Sequence, residues 1–126
     1  MANSIYFNDI RICRASNTIF EIMYTKLKEM YIRKKINNAR IFVLIDSLDQ
    51  ETYGYGCVSC KIDQFFKFRE DYVIFANMLL EVINSIPNEY GISEESGIIE
   101  RIKEFHLHLS QLINSNESIG STGSHE

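Results

Sequence analysis

The chain has 126 residues, of which 45% are hydrophobic, 24% charged and 12% aromatic, with a formal net charge of −4 at pH 7. These values are typical of one soluble globular domain and exclude collagen-like, low-complexity and intrinsically disordered chains. No apolar run approaches the roughly 18 residues that a membrane span needs. Asp9, Arg11 and Arg14 interrupt the segment where a signal peptide would need an apolar core, so we expect a cytoplasmic protein.

The charge is distributed unevenly along the chain. Residues 1–40 carry eight basic and three acidic side chains, giving +5, whereas residues 41–126 carry five basic and fourteen acidic ones, giving −9. This asymmetry favours a charged partner, although each sign could equally serve to solvate its own helices. The negative total argues against non-specific nucleic-acid binding, because neutralisation of phosphates supplies most of that affinity.

The N-terminal residues show the alternation of a half-buried strand. Ile5 and Phe7, followed by Ile10 and Ile12, alternate with polar neighbours. The apolar positions change from odd to even numbers, so a bulge or tight turn at Asn8–Asp9 is needed if both pairs are to face one core.

A helix is predicted next. Thr18 to Glu21 fits a capping box, with Ser16 as a competing N-cap. Arg33 to Lys35 would complement the helix dipole in the last turn, and Asn37–Asn38 would end the helix. The apolar stripe at helical spacing consists of Phe20, Met23, Tyr24, Leu27, Met30 and Tyr31.

Two strands are predicted after this helix. Residues 41–45 are a continuous β-prone apolar run, which indicates a central strand covered on both faces. Asp46 closes the run, and residues 47–52 form a polar connection. Residues 53–62 then predict a second strand, antiparallel to the first.

Two more helices complete the predicted fold. Asp63 is the predicted N-cap of one, whose apolar face runs from Phe68 to Ile86 before Pro87 stops it. The other begins near Ser96, and its apolar face is Ile98, Ile102, Phe105, Leu109 and Leu112.

The predicted fold class is α+β, with a small, mostly antiparallel sheet packed against three helices in the order β-α-β-β-α-α. A single domain covers residues 1–113. Residues 114–126 are mostly Asn, Ser, Gly and Glu, and we expect a disordered polar tail.

No motif points to catalysis. Cys13, Cys57 and Cys60 are an odd number, which argues against a disulfide framework. Cys57 and Cys60 have C-x-x-C spacing, but in a strand they point to opposite faces, which favours half-buried thiols over a zinc or redox site. His106 and His108 lie two apart on a helix and cannot bind one metal together. Phosphate-binding, calcium-binding and nucleophile-elbow motifs are missing, so we predict a non-enzymatic protein without catalytic residues, metal or cofactor.

The segment Tyr53-Gly54-Tyr55-Gly56 is best explained by binding. Its glycines leave one strand face bare, while its tyrosines offer large aromatic surfaces with a hydroxyl, as protein interfaces often do. Nearby acids would add a rim suited to a basic partner. The alternative is that helices cover the glycines and the tyrosines belong to the core. The predicted partner-binding residues are Asp46, Asp49, Glu51, Tyr53 and Tyr55.

Four short pieces carry a resemblance to a known family: Phe7-Asn8-Asp9-Ile10, Ile45-Asp46-Ser47-Leu48, Tyr53-Gly54-Tyr55-Gly56 and Phe105-His106. With the length and acidity of the chain, they resemble bacterial contact-dependent growth inhibition (CDI) immunity proteins over about residues 5–113. The resemblance implies a cytoplasmic inhibitor that binds the C-terminal toxin domain of its cognate effector, often a nuclease, and blocks its active site.

Two other functions remain open. The first is a non-enzymatic regulatory or nucleic-acid-associated adaptor using the basic residues 1–40, which a steeply salt-dependent affinity for RNA or DNA would favour. The second is an enzyme or small-ligand domain, which a deep polar pocket at His106 or Cys60 would favour.

Overall fold

The computed structural model describes residues 2–49, 59–90 and 97–115. The elements in these ranges confirm the α+β class and correct the predicted order to β-β-α-α-β-α-α-α. The strands are β1 (Ala2–Phe7), β2 (Ile10–Ser16) and β3 (Ser59–Lys61). The helices are α1 (Asn17–Arg33), α2 (Ala39–Asp46), α3 (Ile62–Phe65), α4 (Arg69–Tyr90) and α5 (Gly97–Ser115).

The sheet has the order β2-β1-β3, with β1 at its centre. β1 is antiparallel to β2 and parallel to β3, so the described sheet is mixed rather than mostly antiparallel. The tight turn predicted at Asn8–Asp9 is confirmed, because both residues have the positive φ angles (49° and 68°) of a two-residue hairpin turn. The expectation that Ile10 faces the core is wrong: its side chain is 67% exposed, whereas Ile12 is buried.

Ser16 is the N-cap of α1. Its hydroxyl accepts a hydrogen bond from the backbone N–H of Ile19 at 3.4 Å. The capping box predicted from Thr18 to Glu21 is therefore wrong, and the competing N-cap is the one that the chain uses, since β2 continues up to Ser16 and leaves no turn before Thr18.

α1 ends at Arg33, so the prediction that it extends to Asn37–Asn38 is wrong. Lys35 adopts a left-handed conformation with φ of 55°. The backbone N–H of Ile36 then donates to the carbonyl of Tyr31, five residues earlier, at 3.1 Å. This is the outer hydrogen bond of a Schellman motif. Of the three basic residues predicted in the last turn, only Arg33 is helical.

Residues 41–45 belong to α2, so the predicted central strand is wrong. Asn38 caps this helix through a side-chain oxygen that accepts from the N–H groups of Arg40 and Ile41 at 3.1 and 3.3 Å. The buried side chains follow helical spacing, while Val43 is 52% exposed. A short apolar run fits a strand or a buried helix equally well, and the prediction chose the wrong one. The buried stripe is Ile41, Leu44, Ile45 and Leu48.

Two predicted boundaries of the next helices are also wrong. Asp63 does not cap the long helix, which begins at Arg69; instead its carboxylate accepts from the backbone N–H of Asn8 at 3.1 Å and ties α3 to the hairpin turn. Pro87 does not stop α4, which continues to Tyr90. Proline removes one backbone donor from a helix and can bend it without ending it.

Two predicted segments are only partly described. In the predicted strand 53–62, Ser59–Lys61 is β3 and Ile62 begins α3, while residues 53–58 lie outside the described residues. α5 continues through Asn114 and Ser115, beyond the predicted start of the tail. Residues 116–126 lie outside the described residues, so the disordered tail stays a prediction.

The apolar stripes predicted for α1, α4 and α5 are confirmed except at Phe68, which precedes α4 and is not part of the core, and they meet in one core. Edge-to-face ring contacts join Phe7 to Tyr72, Tyr72 to Phe66, Phe66 to Phe75 and Phe75 to Phe105, with centroids 5.0 to 6.0 Å apart. This geometry is the one that aromatic quadrupoles favour. It connects β1 through α4 to α5.

Asp71 is a fully buried carboxylate at the start of α4. It accepts hydrogen bonds from Arg40 Nε at 2.8 Å, from Asn38 Nδ2 at 2.8 Å, and from the backbone N–H groups of Lys67 and Phe68 at 2.9 and 3.2 Å. Arg40 donates a second time, from Nη2 at 3.1 Å. Burial alone would raise the pKa of Asp71, but these five hydrogen bonds outweigh it and hold the pKa below its ordinary value. The carboxylate therefore links the start of α2 to the start of α4.

We expect Ser16→Ala to lower the free energy of unfolding by about 1 kcal/mol, because it removes the cap of α1. Thr18→Ala is the matched control, since the exposed Thr18 has no capping role here, and it should change stability by less than about 0.5 kcal/mol. Urea unfolding followed by circular dichroism measures both values. Equal losses in the two variants would contradict the assignment of the cap.

We expect Asp71→Asn to lower the free energy of unfolding at pH 7 by about 3 kcal/mol, the lower end for breaking a buried ion pair, because Arg40 stays partly exposed. The exposed neighbour Glu70 provides the control Glu70→Gln, with an expected change within about 0.5 kcal/mol.

The parent chain and Asp71→Asn together also test the direction in which folding shifts the pKa of Asp71. Because the pKa of Asp71 is lowered by folding, its ionised form stabilises the fold fully above the ordinary value of 3.8 and loses that contribution as the pH falls below it. The stability difference between the parent chain and Asp71→Asn should therefore be constant from pH 5 to 7 and shrink below about pH 3.8. A difference that grows with acid would contradict this.

Candidate functional site

The first candidate site is an open groove of about 410 Å³ between α1, α2 and α3, called here the α1–α2 groove. Val43 is the most apolar exposed position in it, and Asp46 and Asp49 bring negative charge. The lining residues are Tyr24, Lys28, Val43, Asp46, Ser47, Asp49 and Phe65.

Helical spacing positions most of these side chains. Tyr24 and Lys28 lie four residues apart on one face of α1, and Val43 and Asp46 lie three apart on one face of α2. Phe65, the last residue of α3, lines the remaining side of the groove. The groove therefore depends on α2 being helical, because a strand over residues 41–45 would place neighbouring side chains on opposite faces.

Lys28 lies between an aromatic ring and a carboxylate. Its Nζ donates to the Tyr24 hydroxyl at 3.0 Å and lies 3.5 Å from Asp46 Oδ1. The bond to Tyr24 and then the charge of Asp46 raise the pKa of Lys28, so it stays protonated. The pair is exposed to solvent and is therefore weak, so a partner can exchange its own cation for Lys28.

The predicted partner-binding residues fall into two groups. Asp46 and Asp49 are described and line the same groove, although Asp46 ends a helix and does not close a strand. Glu51, Tyr53 and Tyr55 lie outside the described residues.

The other side chains that line the groove were not predicted from the sequence as site residues. Tyr24 packs against the core, as its place in the stripe predicted, but it is only partly buried and also lines the groove. Val43 was assigned to a covered strand, whereas it is largely exposed. A helical periodicity extended from Ile41 to Leu48 would have predicted Val43 as exposed. Phe65 comes from a four-residue helix, which leaves no periodic signal.

Cys13 and Cys60 are buried thiols on β2 and β3, as the prediction of small half-buried thiols broadly anticipated. Burial raises the pKa of Cys13 to about 12 and that of Cys60 to about 11, so neither forms a thiolate readily. The Ser47 hydroxyl lies 3.6 Å from Cys60 Sγ. Cys57 lies outside the described residues.

The two histidines have different surroundings on α5. His106 is half-buried beside the apolar stripe. His108 is exposed, and its Nδ1 lies 3.0 Å from the carbonyl oxygen of Ile12. Because a carbonyl only accepts, Nδ1 carries the proton. Across residues 2–49, 59–90 and 97–115, three or more His, Cys, Asp or Glu side chains nowhere meet in a way that could hold a metal ion.

None of the described helices has the length and apolar character needed to cross a membrane.

We expect Cys13 and Cys60 to react slowly with iodoacetamide at pH 8 in the folded chain, because burial both shields them and raises their pKa values. For Cys60 the rate should be on the order of a hundredfold below that of the same residue in urea, which serves as the control. Peptide mass mapping over time measures each site separately. Equal rates in buffer and in urea would contradict the burial.

The function of the chain is inferred from its described side chains and its sequence. The chain matches no protein-family model, no curated protein and no solved structure.

Proposed function

We propose that this chain is an immunity protein that binds a cognate bacterial toxin domain, in our hypothesis a nuclease, and blocks its active site. The observation that carries the proposal is that Asp46 and Asp49, two acids predicted to bind a partner, line one open groove together with the exposed Val43. The resemblance of the sequence to CDI immunity proteins supplies the class of partner.

The chemistry of the groove fits a protein partner. Val43, Tyr24 and Phe65 offer apolar and aromatic surface, the kind of contact that contributes most of the energy at interfaces. Asp46 and Asp49 lie beside this surface, and carboxylates at such positions speed association with a basic protein. A nuclease binds phosphates in a positive cleft, so these carboxylates would take the place of the substrate phosphates.

The proposal retains Glu51, Tyr53 and Tyr55 on sequence grounds. They follow Asp49 directly in the chain and add one more acid and two aromatic side chains to the same stretch. Their role is tested by substitution in the same way as that of the described residues.

The test uses the C-terminal domain of the product of the gene immediately upstream, which the proposal takes to be the toxin. Cells producing that domain should grow only when this chain is also produced. Asp46→Asn with Asp49→Asn should lower the association rate about tenfold at low salt, and the effect should shrink at high salt, because charge attraction is screened. Glu100→Gln, an exposed acid on α5, should leave the rate unchanged.

Two further variants, one of them with a matched control, sharpen the test. Val43→Gln should weaken affinity about tenfold, whereas Leu80→Gln, which changes an exposed aliphatic on α4, should not. Lys28→Gln should increase the association rate, because it frees Asp46 from its ion pair. Full protection and unchanged kinetics in the double Asp variant and in Val43→Gln would remove this groove from the mechanism. Failure of the chain to bind or protect at all would overturn the proposed function.

A further inference from the structure

A second groove, of about 240 Å³, lies along the seam between β2 and α5 and is called here the β2–α5 groove. It has the opposite charge to the α1–α2 groove: three arginines face one glutamate, a formal balance of +2. We propose that this groove binds the phosphate group of a small phosphate monoester. It is lined by Arg11, Ile12, Cys13, Arg14, Arg101, Glu104 and His108.

A β-bulge brings two of the arginines together. The register pairs Tyr6 with Arg11 and Ser4 with Arg14, and it skips Ile12, which has no partner on β1. Residues three apart on a regular strand point to opposite faces, but the extra residue places Arg11 and Arg14 opposite Tyr6 and Ser4, which share a face. Bulges commonly redirect side chains at binding sites in this way.

His108 fixes the other wall of the groove. Its Nδ1–H donates to the carbonyl of Ile12, the residue that the bulge leaves unpaired. This bond ties α5 to the edge strand and sets the position of Arg101 two turns earlier on the same helix. In the described part of the chain, Nε2 of His108 has no protein partner, so it remains open to a ligand.

The positive charge of the groove is largely uncompensated. The side chains of Arg11 and Arg14 form no hydrogen bond or ion pair with any described residue. Arg101 lies 3.4 Å from Glu104, but both side chains are more than half exposed, and such pairs are weak. By contrast, Lys26, Lys28, Lys34 and Arg40 all have acidic partners.

The chemistry of these features fits a phosphate group. Arginine presents planar paired donors that match phosphate oxygens, and three such groups within one small groove can contact several oxygens at once. A phosphate monoester carries close to two negative charges at pH 7, which matches the balance of the groove. A long nucleic acid would also have to approach a chain whose net charge is −4.

An adjoining groove of about 590 Å³ has room for the organic part of the ligand. It shares Arg14 and Arg101 with the β2–α5 groove, and Ala15, Ile19 and Ile98 give it apolar surface. Its volume is in the range of pockets for small molecules. The ligand is therefore a phosphate monoester of metabolite size. Neither groove shares a residue with the α1–α2 groove, so this proposal is independent of the proposed function.

The test titrates the full chain with inorganic phosphate, adenosine 5′-monophosphate and adenosine at constant ionic strength, and with a single-stranded RNA at two salt concentrations. Calorimetry gives affinities, and NMR of the arginine Nε–H groups reports the site. Inorganic phosphate should bind and shift the signals of Arg14 and Arg101, adenosine 5′-monophosphate should bind more tightly, and adenosine should bind least.

Matched variants locate the site. Arg14→Gln should weaken phosphate binding about tenfold or more, as expected for one lost charge-assisted contact. Arg33→Gln removes the same charge from an exposed position outside these grooves and should have no effect. Glu104→Gln should strengthen binding, which a loss of folding cannot imitate. Equal effects of Arg14→Gln and Arg33→Gln, no binding of inorganic phosphate, or binding only to a single-stranded RNA with steep salt dependence would each overturn the proposal.

Discussion

The carboxylate of Asp71 is the interaction on which the arrangement of helices depends. It is wholly buried, and its partners come from the cap of α2 and from the segment that leads into α4. The side-chain Nδ2 of Asn38 donates to Asp71, and its Oδ1 accepts from the N-terminus of α2, so one side chain connects the two helices. Arg40 completes the pairing and packs its guanidinium over the ring of Phe68 at 5.0 Å. A buried charge is tolerated when its hydrogen bonds are satisfied, and here they also fix where α2 begins.

The sequence allowed the long helices to be predicted, but not α2. The stripes of α1, α4 and α5 repeat over several turns, so periodicity alone identified their buried faces. Residues 41–45 span little more than one turn, and their helical state is decided by Asn38 and by Asp71, a residue 31 positions after Arg40. The candidate site followed the same division. Asp46 and Asp49 could be found because they are close in sequence, whereas Lys28 and Phe65 reach the groove only through the tertiary fold.

The two grooves show how an acidic chain can present both signs of charge. The α1–α2 groove lies among helices and combines carboxylates with aromatic rings. The β2–α5 groove lies at the edge of the sheet and gathers arginines that have few acidic partners. Of the basic residues in positions 1–40, Lys26, Lys28, Lys34 and Arg40 form ion pairs, whereas Arg11 and Arg14 line this seam. The sequence asymmetry suggested an oriented field, and the two grooves differ in the sign of their excess charge.

Within the described sheet β2 is an outer strand, and the residues along it affect how copies of this chain could meet one another. An outer strand with free backbone groups invites a strand from a second molecule to add to the sheet. Here Ile12, which has no partner on β1, interrupts the regular hydrogen bonding of the strand, and its carbonyl oxygen already accepts from His108. Arg11 and Arg14 add like charges that two identical edges would bring together. A bulge and like charges are features that disfavour the pairing of two sheet edges, and β2 carries both at this margin of the described sheet.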